Sequence, residues 1–257
     1  MTAEPGPVRL LGLLGRNLSH SFSPRWFQAK FDQEEITGYR YDLYPLADIG
    51  DWPEQMAQMP QLVGLNVTIP YKQTIIPYLR GLSETARAIG AVNVLRRDAA
   101  GDWWGHNTDA EGFAHSLRPF LTLHHERAII LGRGGAAAAV RFVLQGMGIE
   151  CVHVVRSPTP GVAWKEVVWG DLRAEWARHF PLVVQATPLG TAPDVEEMHP
   201  FPWEAVGPEH LVVDLVYNPP VSRFLKEAQS RGATILNGQA MLEAQAQAAW
   251  AYWTQHP

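Results

Sequence analysis

Two α/β domains are predicted for this chain of 257 residues, and three observations predict them. Short apolar runs suited to buried strands alternate with helical segments along the whole sequence, which is the pattern of parallel β-α units. A strand-turn-helix signature, Ala128-Ile-Ile-Leu-Gly-Arg-Gly-Gly-Ala-Ala-Ala-Ala139, sits at the middle with a series of such units on either side. The length is ample for two cores of ordinary size.

Composition narrows the function classes. Apolar residues at 46% and charged residues at 18% describe a folded globular protein rather than a disordered one. A formal charge of -5 and a pI near 6.0 argue against a general affinity for nucleic acid or for an anionic membrane surface, because no basic excess exists to neutralise phosphates. The single cysteine, Cys151, forms no internal disulfide and lies in an apolar run, so a buried structural thiol in a reducing cytoplasm is expected. Glu4 and prolines stand where a signal peptide carries basic residues, so no targeting segment is expected, and no run approaches the ~20 apolar residues of a membrane span. The ten Trp residues are scattered and read as packing residues.

Taken in order, Arg9–Leu14 reads as a first buried strand. Ser23 as N-cap with Pro24 behind it starts a helix. Tyr39–Tyr44 suits a second strand, a weak helix carries Trp52 and Met56, and Leu62–Val67 suits a third strand. This β-α-β order implies a parallel sheet. A loop Thr68–Lys72 precedes short helical pieces around Ile75–Leu79 and Ser83–Ile89. Ala91–Arg97 and Trp103–His106 then flank a hairpin turn at Asp98-Ala-Ala-Gly101. Thr108-Asp-Ala-Glu111 has the form of a capping box, and the domain boundary is placed in the helix it starts. Beyond the central signature come strands at Glu150–Val155, Leu182–Gln185 and Leu211–Leu215, a helix at Val221–Arg231, a strand at Ala233–Leu236 and a final helix from Gln239 through Trp253.

The central signature has the form of a dinucleotide-binding turn. Gly132 permits the tight turn, Gly134 lets the backbone approach a pyrophosphate, and Ala137 takes the third small position of G-x-G-x-x-G/A. The helix starting near Gly135 offers free N–H groups and a positive dipole end to phosphate. After the second strand of such a unit an acid selects NAD and a basic residue selects NADP; Arg156-Ser157 stands there, which favours NADP, although the pair also suits an exposed strand end. Arg133, between the two glycines, is unusual.

Three polar clusters lie at the ends of apolar runs in the first half: Ser21-Phe-Ser23, Asn66-Val-Thr-Ile-Pro-Tyr-Lys72, and Asn93 followed by Asn107-Thr-Asp109. In an open α/β sheet such loops converge on one edge, where ligands bind. Hydroxyls, amides, one ammonium and one carboxylate suit a small polyhydroxylated acid. Lys72 and Asp109 are the natural pair for proton transfer to a carbonyl being reduced. Singly, Lys72 also suits a solvated lysine and Asp109 a helix N-terminus.

Together these stretches resemble the shikimate dehydrogenase family, in the family's order over nearly the whole chain. His20-Ser-Phe-Ser-Pro24 matches H-S-x-S-P, Asn66–Lys72 matches N-V-T-x-P-x-K, Gly90-Ala-Val-Asn93 matches G-A-V-N, and Asn107–Phe113 looks like N-T-D-x-x-G-F. Ala186-Thr-Pro-Leu-Gly190, Asp214-Leu-Val-Tyr-Asn-Pro219 and Met241-Leu-Glu-Ala-Gln245 resemble the remaining signatures.

The resemblance implies reversible NADPH-dependent reduction of 3-dehydroshikimate to shikimate, in aromatic amino acid biosynthesis, by a monomer or homodimer without a metal. It implies a substrate domain at 1–110, completed by the helix at 239–257, and a Rossmann-type NADP-binding domain at 111–238, with the active site in the cleft. Ser21 and Ser23 are then expected to bind the substrate carboxylate, and Thr68, Asn93, Asp109, Tyr217 and Gln245 to contact substrate. Lys72 is the main acid/base, paired with Asp109. Gly132, Gly134, Gly135 and Ala136 hold the pyrophosphate, Arg156 and Ser157 the 2′-phosphate, and Thr187 and Gly238 complete the cofactor site.

Departures from the family pattern concentrate on the cofactor side. Arg133 replaces the Ala of G-A-G-G-A, Val155-Arg-Ser157 stands for N-R-T, and Ala240 occupies a position commonly Gly. A guanidinium at Arg133 either compensates for the Asn missing at Val155 or crowds the turn, and compensation is preferred. The same carboxylate grip also suits quinate or an amino-substituted relative, and a protein that holds shikimate without catalysis is the alternative from another class.

Overall fold

The structure, a computed structural model, describes residues 8–19, 21–162 and 164–254, so His20 of the H-S-x-S-P string and the end of the expected 239–257 helix lie outside the described residues. The chain divides into two compact units, Met1–Thr108 with Ala246–Pro257, and Asp109–Gln245.

The first unit runs β1 (Arg9–Gly15), α1 (Ser23–Gln33), β2 (Tyr39–Pro45), α2 (Trp52–Ala57), β3 (Leu62–Val67), α3 (Tyr71–Thr74), β4 (Gly81–Leu82), α4 (Glu84–Ile89), β5 (Val94–Arg97) and β6 (Trp103–His106). Its sheet has the order β2-β1-β3-β5-β6-β4. β1 lies parallel to both β2 and β3, as the β-α-β order requires, and the hairpin of β5 and β6 adds antiparallel pairings. Leu11 to Leu14 are buried consecutively because both faces of the sheet are covered. Leu14, Leu65, Trp52 and Trp103 pack on one side, the two indoles edge to face at 5.4 Å. Phe27, Phe31, Ala246, Ala249 and Trp253 pack on the other. Trp253 donates its indole N–H to the Leu95 carbonyl at 2.9 Å, which ties the C-terminal segment to this sheet. Truncating a buried Trp of this kind to Ala costs about 3–5 kcal/mol.

The second unit contains α5 (Asp109–Leu117), β7 (Arg127–Leu131), α6 (Gly135–Gly146), β8 (Glu150–Val155), β9 (Lys165–Val168), α7 (Ala174–His179), β10 (Leu182–Gln185), β11 (Leu211–Asp214), α8 (Arg223–Gln229), β12 (Thr234–Leu236) and the first part of α9 (Gln239–Thr254). Its strands are all parallel in the order β12-β11-β10-β7-β8-β9, the doubly wound order of dinucleotide-binding sheets. Loops after β7 and β10 therefore flank the switch point, where chain direction across the sheet reverses.

Several local expectations are corrected. Ser23 does not cap α1: the helix begins at Ser23, Phe22 occupies the cap position without a side-chain bond, and the Ser23 hydroxyl pairs with Tyr41 instead. A buried phenol is a better partner than a helix end that water already serves. Lys72 lies in α3 rather than in a loop. β9 and α7 appear where no element is expected, since four- and six-residue segments are too short to display a period. α8 is shorter than Val221–Arg231 because Ser222 caps it, accepting the Leu225 N–H. Burial pushes the Cys151 thiol up to about 12, which suits an inert structural cysteine. No helix of the described residues is long and apolar enough to cross a membrane.

Candidate active site

Strand direction gathers one group of polar residues. β1 and β3 are parallel, so the segments after them, carrying Ser21 and Ser23 and then Thr68 and Lys72, leave the sheet at one edge. β5 runs antiparallel to β3, so Asn93, just before β5, lies at that same edge. β6 reverses again and delivers Asn107 and Thr108 there.

These residues form a hydrogen-bonded floor. Asn93 Oδ1 accepts the Thr108 N–H at 2.7 Å and its Nδ2 donates to the Thr108 hydroxyl at 3.0 Å. The Asn93 carbonyl accepts the Val67 N–H at 2.8 Å, and Asn107 Nδ2 donates to the Ala91 carbonyl at 2.9 Å. The Tyr41 hydroxyl donates to Asn66 Oδ1 at 2.8 Å and pairs with Ser23, and burial raises its pKa far above that of an ordinary phenol. The Tyr41 ring is stacked on Phe27 at 4.3 Å. Above this floor the rim is half-buried: Ser21 donates its N–H to the Leu18 carbonyl at 3.0 Å, and Thr68 donates its N–H to the Leu14 carbonyl at 2.9 Å and accepts the Tyr71 N–H. Lys72 is half-buried in the first turn that follows. Hydroxyl donors and one ammonium over satisfied amides can hold a hydroxylated carboxylic acid and exchange a proton with it.

In the second unit, Gly132 has φ +111°, a conformation that side-chain-bearing residues avoid, and a Cβ there would stand 2.9 Å from Thr187 Cγ2. The turn thus approaches the loop after β10 as closely as glycine allows. Gly134 precedes α6 with no side-chain cap and nothing within 4 Å of its Cβ position. Gly135 and Ala136 follow, half-buried, so the first N–H groups and positive end of a twelve-residue helix have no side-chain cap. Arg133 is exposed, and its Nη1 donates to the Ser157 carbonyl at 2.9 Å and to the Thr159 hydroxyl. Arg156 and Ser157 are exposed just after β8. The carbonyl of Gly132 is met by His153 Nδ1 at 2.7 Å.

Arg156 also borders a groove of about 690 Å³ lined with Leu189, Met198, His199 and Arg223. Thr187 donates its hydroxyl to Gln185 Oε1 at 2.7 Å, so the 2.9 Å contact with His199 Nε2 requires that nitrogen to be the donor. His199 stacks on Trp169 at 4.1 Å, and burial, with the Arg156 charge second, lowers its pKa to about 4. The imidazole is therefore neutral near pH 7.

Tyr217, half-buried, follows β11. There Asp214 accepts the Val216 N–H at 2.9 Å and the Ser222 hydroxyl, while burial pushes its carboxyl up to about 7. Gly238 donates its N–H to the Val216 carbonyl at 3.1 Å, and a Cβ on it would fall on the Leu215 carbonyl oxygen, so only glycine lets α9 start here. Asp109 is the buried first residue of α5. Gln245, also buried, donates Nε2 to the Leu242 carbonyl at 3.0 Å.

The first sheet's edge thus brings together Ser21, Ser23, Thr68, Lys72 and Asn93. The second unit's strand ends bring together Gly132, Arg133, Gly134, Gly135, Ala136, Arg156, Ser157 and Thr187. Sequence reasoning gives no role to Tyr41, Thr159 or His199. Tyr41 carries the only available signal, a phenol on the inward face of an amphipathic strand.

Residues 13–95, within the first unit, match the family model described as the shikimate dehydrogenase substrate binding domain. A shikimate dehydrogenase (NADP(+)) of Desulforamulus reducens is 35% identical over 97% of this chain and 91% of its own length. The one from Symbiobacterium thermophilum is 36% identical, over 96% of this chain and 90% of its own. The crystal structure of shikimate 5-dehydrogenase from Thermus thermophilus in complex with NADP(H) and shikimate is similar with a TM-score of 0.83 and 31% identity, covering 96% of this chain and 94% of that one.

Proposed function

This chain belongs to the shikimate dehydrogenase family, and from that premise we propose that it catalyses the reversible NADPH-dependent reduction of 3-dehydroshikimate to shikimate. The observation that carries the reading is the polar edge of the first sheet, where two serines, a threonine and a lysine surround a floor of buried amides. Ser21 and Ser23 are assigned to the substrate carboxylate. Thr68, Asn93, Asp109, Tyr217 and Gln245 are assigned to its hydroxyl and carbonyl groups. The first unit, with the C-terminal helix, is then the substrate domain and the second the NADP domain.

The second unit fits the cofactor. A glycine turn in which nothing stands within 4 Å of where a Cβ on Gly134 would lie precedes an uncapped helix N-terminus, and Arg156-Ser157 offers a cation and a hydroxyl beyond the next strand. Gly132, Gly134, Gly135 and Ala136 hold the pyrophosphate, Arg156 and Ser157 the 2′-phosphate, and Thr187 and Gly238 border the rest. When bound, NADPH supplies the hydride that reduces the carbonyl carbon. Lys72 donates a proton from its ammonium to the carbonyl oxygen as charge develops there, and in the reverse direction its amine takes the hydroxyl proton; Asp109 is the second catalytic group. A small-molecule enzyme of this kind calls for no nucleic acid partner, and a cytoplasmic location and a monomeric or homodimeric state belong to the same reading.

Following NADPH absorbance with shikimate and NADP tests it. Turnover is expected; a folded sample that turns over shikimate with neither NADP nor NAD overturns the reading. Parallel assays with quinate and an amino-substituted analogue fix the substrate within the class.

A further inference from the structure

The glycine turn and the loop after β8 are joined by a contact that neither segment predicts alone. Arg133 spans from the turn to the loop, donating from Nη1 to the Ser157 carbonyl and to the Thr159 hydroxyl. Thr159 is itself anchored, since its N–H donates to Glu166 Oε2 at 2.6 Å. The other Glu166 oxygen accepts the Trp164 indole N–H at 3.2 Å, and the Arg141 guanidinium of α6 covers that indole at 4.3 Å. The Arg133 side chain is therefore held in place from the far end by a loop tied into β9 and α6.

Its charge is left available. No carboxylate pairs with Arg133 or with Arg156 among the described residues, and both are exposed. The two bonds occupy Nη1, and a guanidinium carries five N–H donors. Meanwhile Val155 is 3% exposed and apolar, so the residue before Arg156 supplies no side-chain donor to the loop. Two guanidiniums that make no ion pair thus stand at neighbouring strand ends, Arg133 bonded to the Ser157 carbonyl and Arg156 next to Ser157 in the chain, where Glu196 and Glu197 share the groove that Arg156 borders, and two such cations suit a dianion.

We infer that Arg133 is a specificity-determining residue: held by Ser157 and Thr159, its guanidinium supplies a second cation to the 2′-phosphate of NADP and takes over the part that Val155 cannot play. The inference rests on the NADP-linked reading above. It assigns Arg133 to the group that distinguishes NADP from NAD, and not to the pyrophosphate that both share.

Calorimetry on the whole protein separates these. For Arg133→Ala, affinity for NADP and for adenosine 2′,5′-bisphosphate is expected to fall about tenfold or more, with NAD changed less than about twofold, the loss of one charge-assisted contact. Thr159→Val, which keeps the charge but releases its anchor, is expected to weaken NADP by about threefold, a smaller loss of ordering. Equal weakening of NADP and NAD by Arg133→Ala places the residue at the turn and overturns the inference, as does unchanged or tighter NADP binding. Wild-type protein that binds neither nucleotide overturns the functional reading along with it, whereas wild-type binding of NADP with an indifferent Arg133→Ala overturns the inference alone.

Discussion

Asn66, Asn93, Asn107 and Thr108, at the edge of the first sheet, are at most 5% exposed, whereas Arg133, Gly134, Arg156 and Ser157, at the strand ends of the second, are exposed. In the first group Asn93 and Thr108 satisfy one another, Asn66 accepts the Tyr41 hydroxyl and Asn107 bonds the Ala91 carbonyl, so replacing one of these amides orphans a neighbour inside the fold. In the second group the donors face outward from loops, and a cation can reach the same volume from more than one position. The departures from the family pattern fall with the second group, Arg133 and Ser157 exposed, Ala240 half-buried and Val155 buried. Asn66, Asn93 and Asn107 match the family strings in full, while Arg133, Val155 and Ala240 depart on the cofactor side. A buried reciprocal network tolerates little change; an exposed grip can be rebuilt from other residues.

The largest effect is expected from the reactive group itself. Lys72→Ala should reduce kcat by about 10²-fold or more, with shikimate affinity much less affected, in steady-state kinetics and calorimetry. A loss confined to binding reassigns Lys72 to positioning.

Next in size is the contrast between the two groups. Asn93→Ala leaves the Thr108 N–H without its partner and should cost about 2–3 kcal/mol of stability in urea unfolding. Arg156→Ala should stay within about 0.5 kcal/mol of wild type in stability and weaken NADP by about tenfold. If Arg156→Ala proved as destabilising as Asn93→Ala, the contrast between buried floor and exposed grip would fail.

The smallest effect concerns His199. Its folded pKa of about 4 lies below the ordinary 6.5, so the unfolded chain binds the extra proton first as pH falls. Stability from this group is complete above about 6.5 and is lost as pH drops toward about 4. A His199→Gln variant should show a shallower fall in Tm over that window than wild type, and NMR titration of His199 should show no midpoint near neutrality. Identical pH profiles would show that the Thr187–His199 contact carries no such linkage.

Legibility in the sequence tracked distance along the chain. The turn at Gly132–Gly135 was readable because strand, glycines and helix are consecutive, and each leaves a local signature. β3 at Leu62–Val67 and β8 at Glu150–Val155 were readable for the same reason. Ser23 is the exception, since its hydroxyl suits a local cap but has a remote partner in Tyr41, and the remote partner prevails. Thr159 and His199 had no signal at all, since each acquires its place from Arg133 or Thr187 on a separate loop.

The order of motifs, the alternation of strands and helices and the identity of the reactive residues are carried by consecutive side chains and backbone preferences, and they were enough to indicate the family. Strand direction and packing settled the rest. The reversal of β5 brings Asn93 to the edge that carries Thr68 and Lys72, and the adjacency of β7 and β8 sets Arg133 against Ser157 and Thr159. Such contacts depend on sheet order and register, which arise from burial of the whole core, and no single segment encodes them.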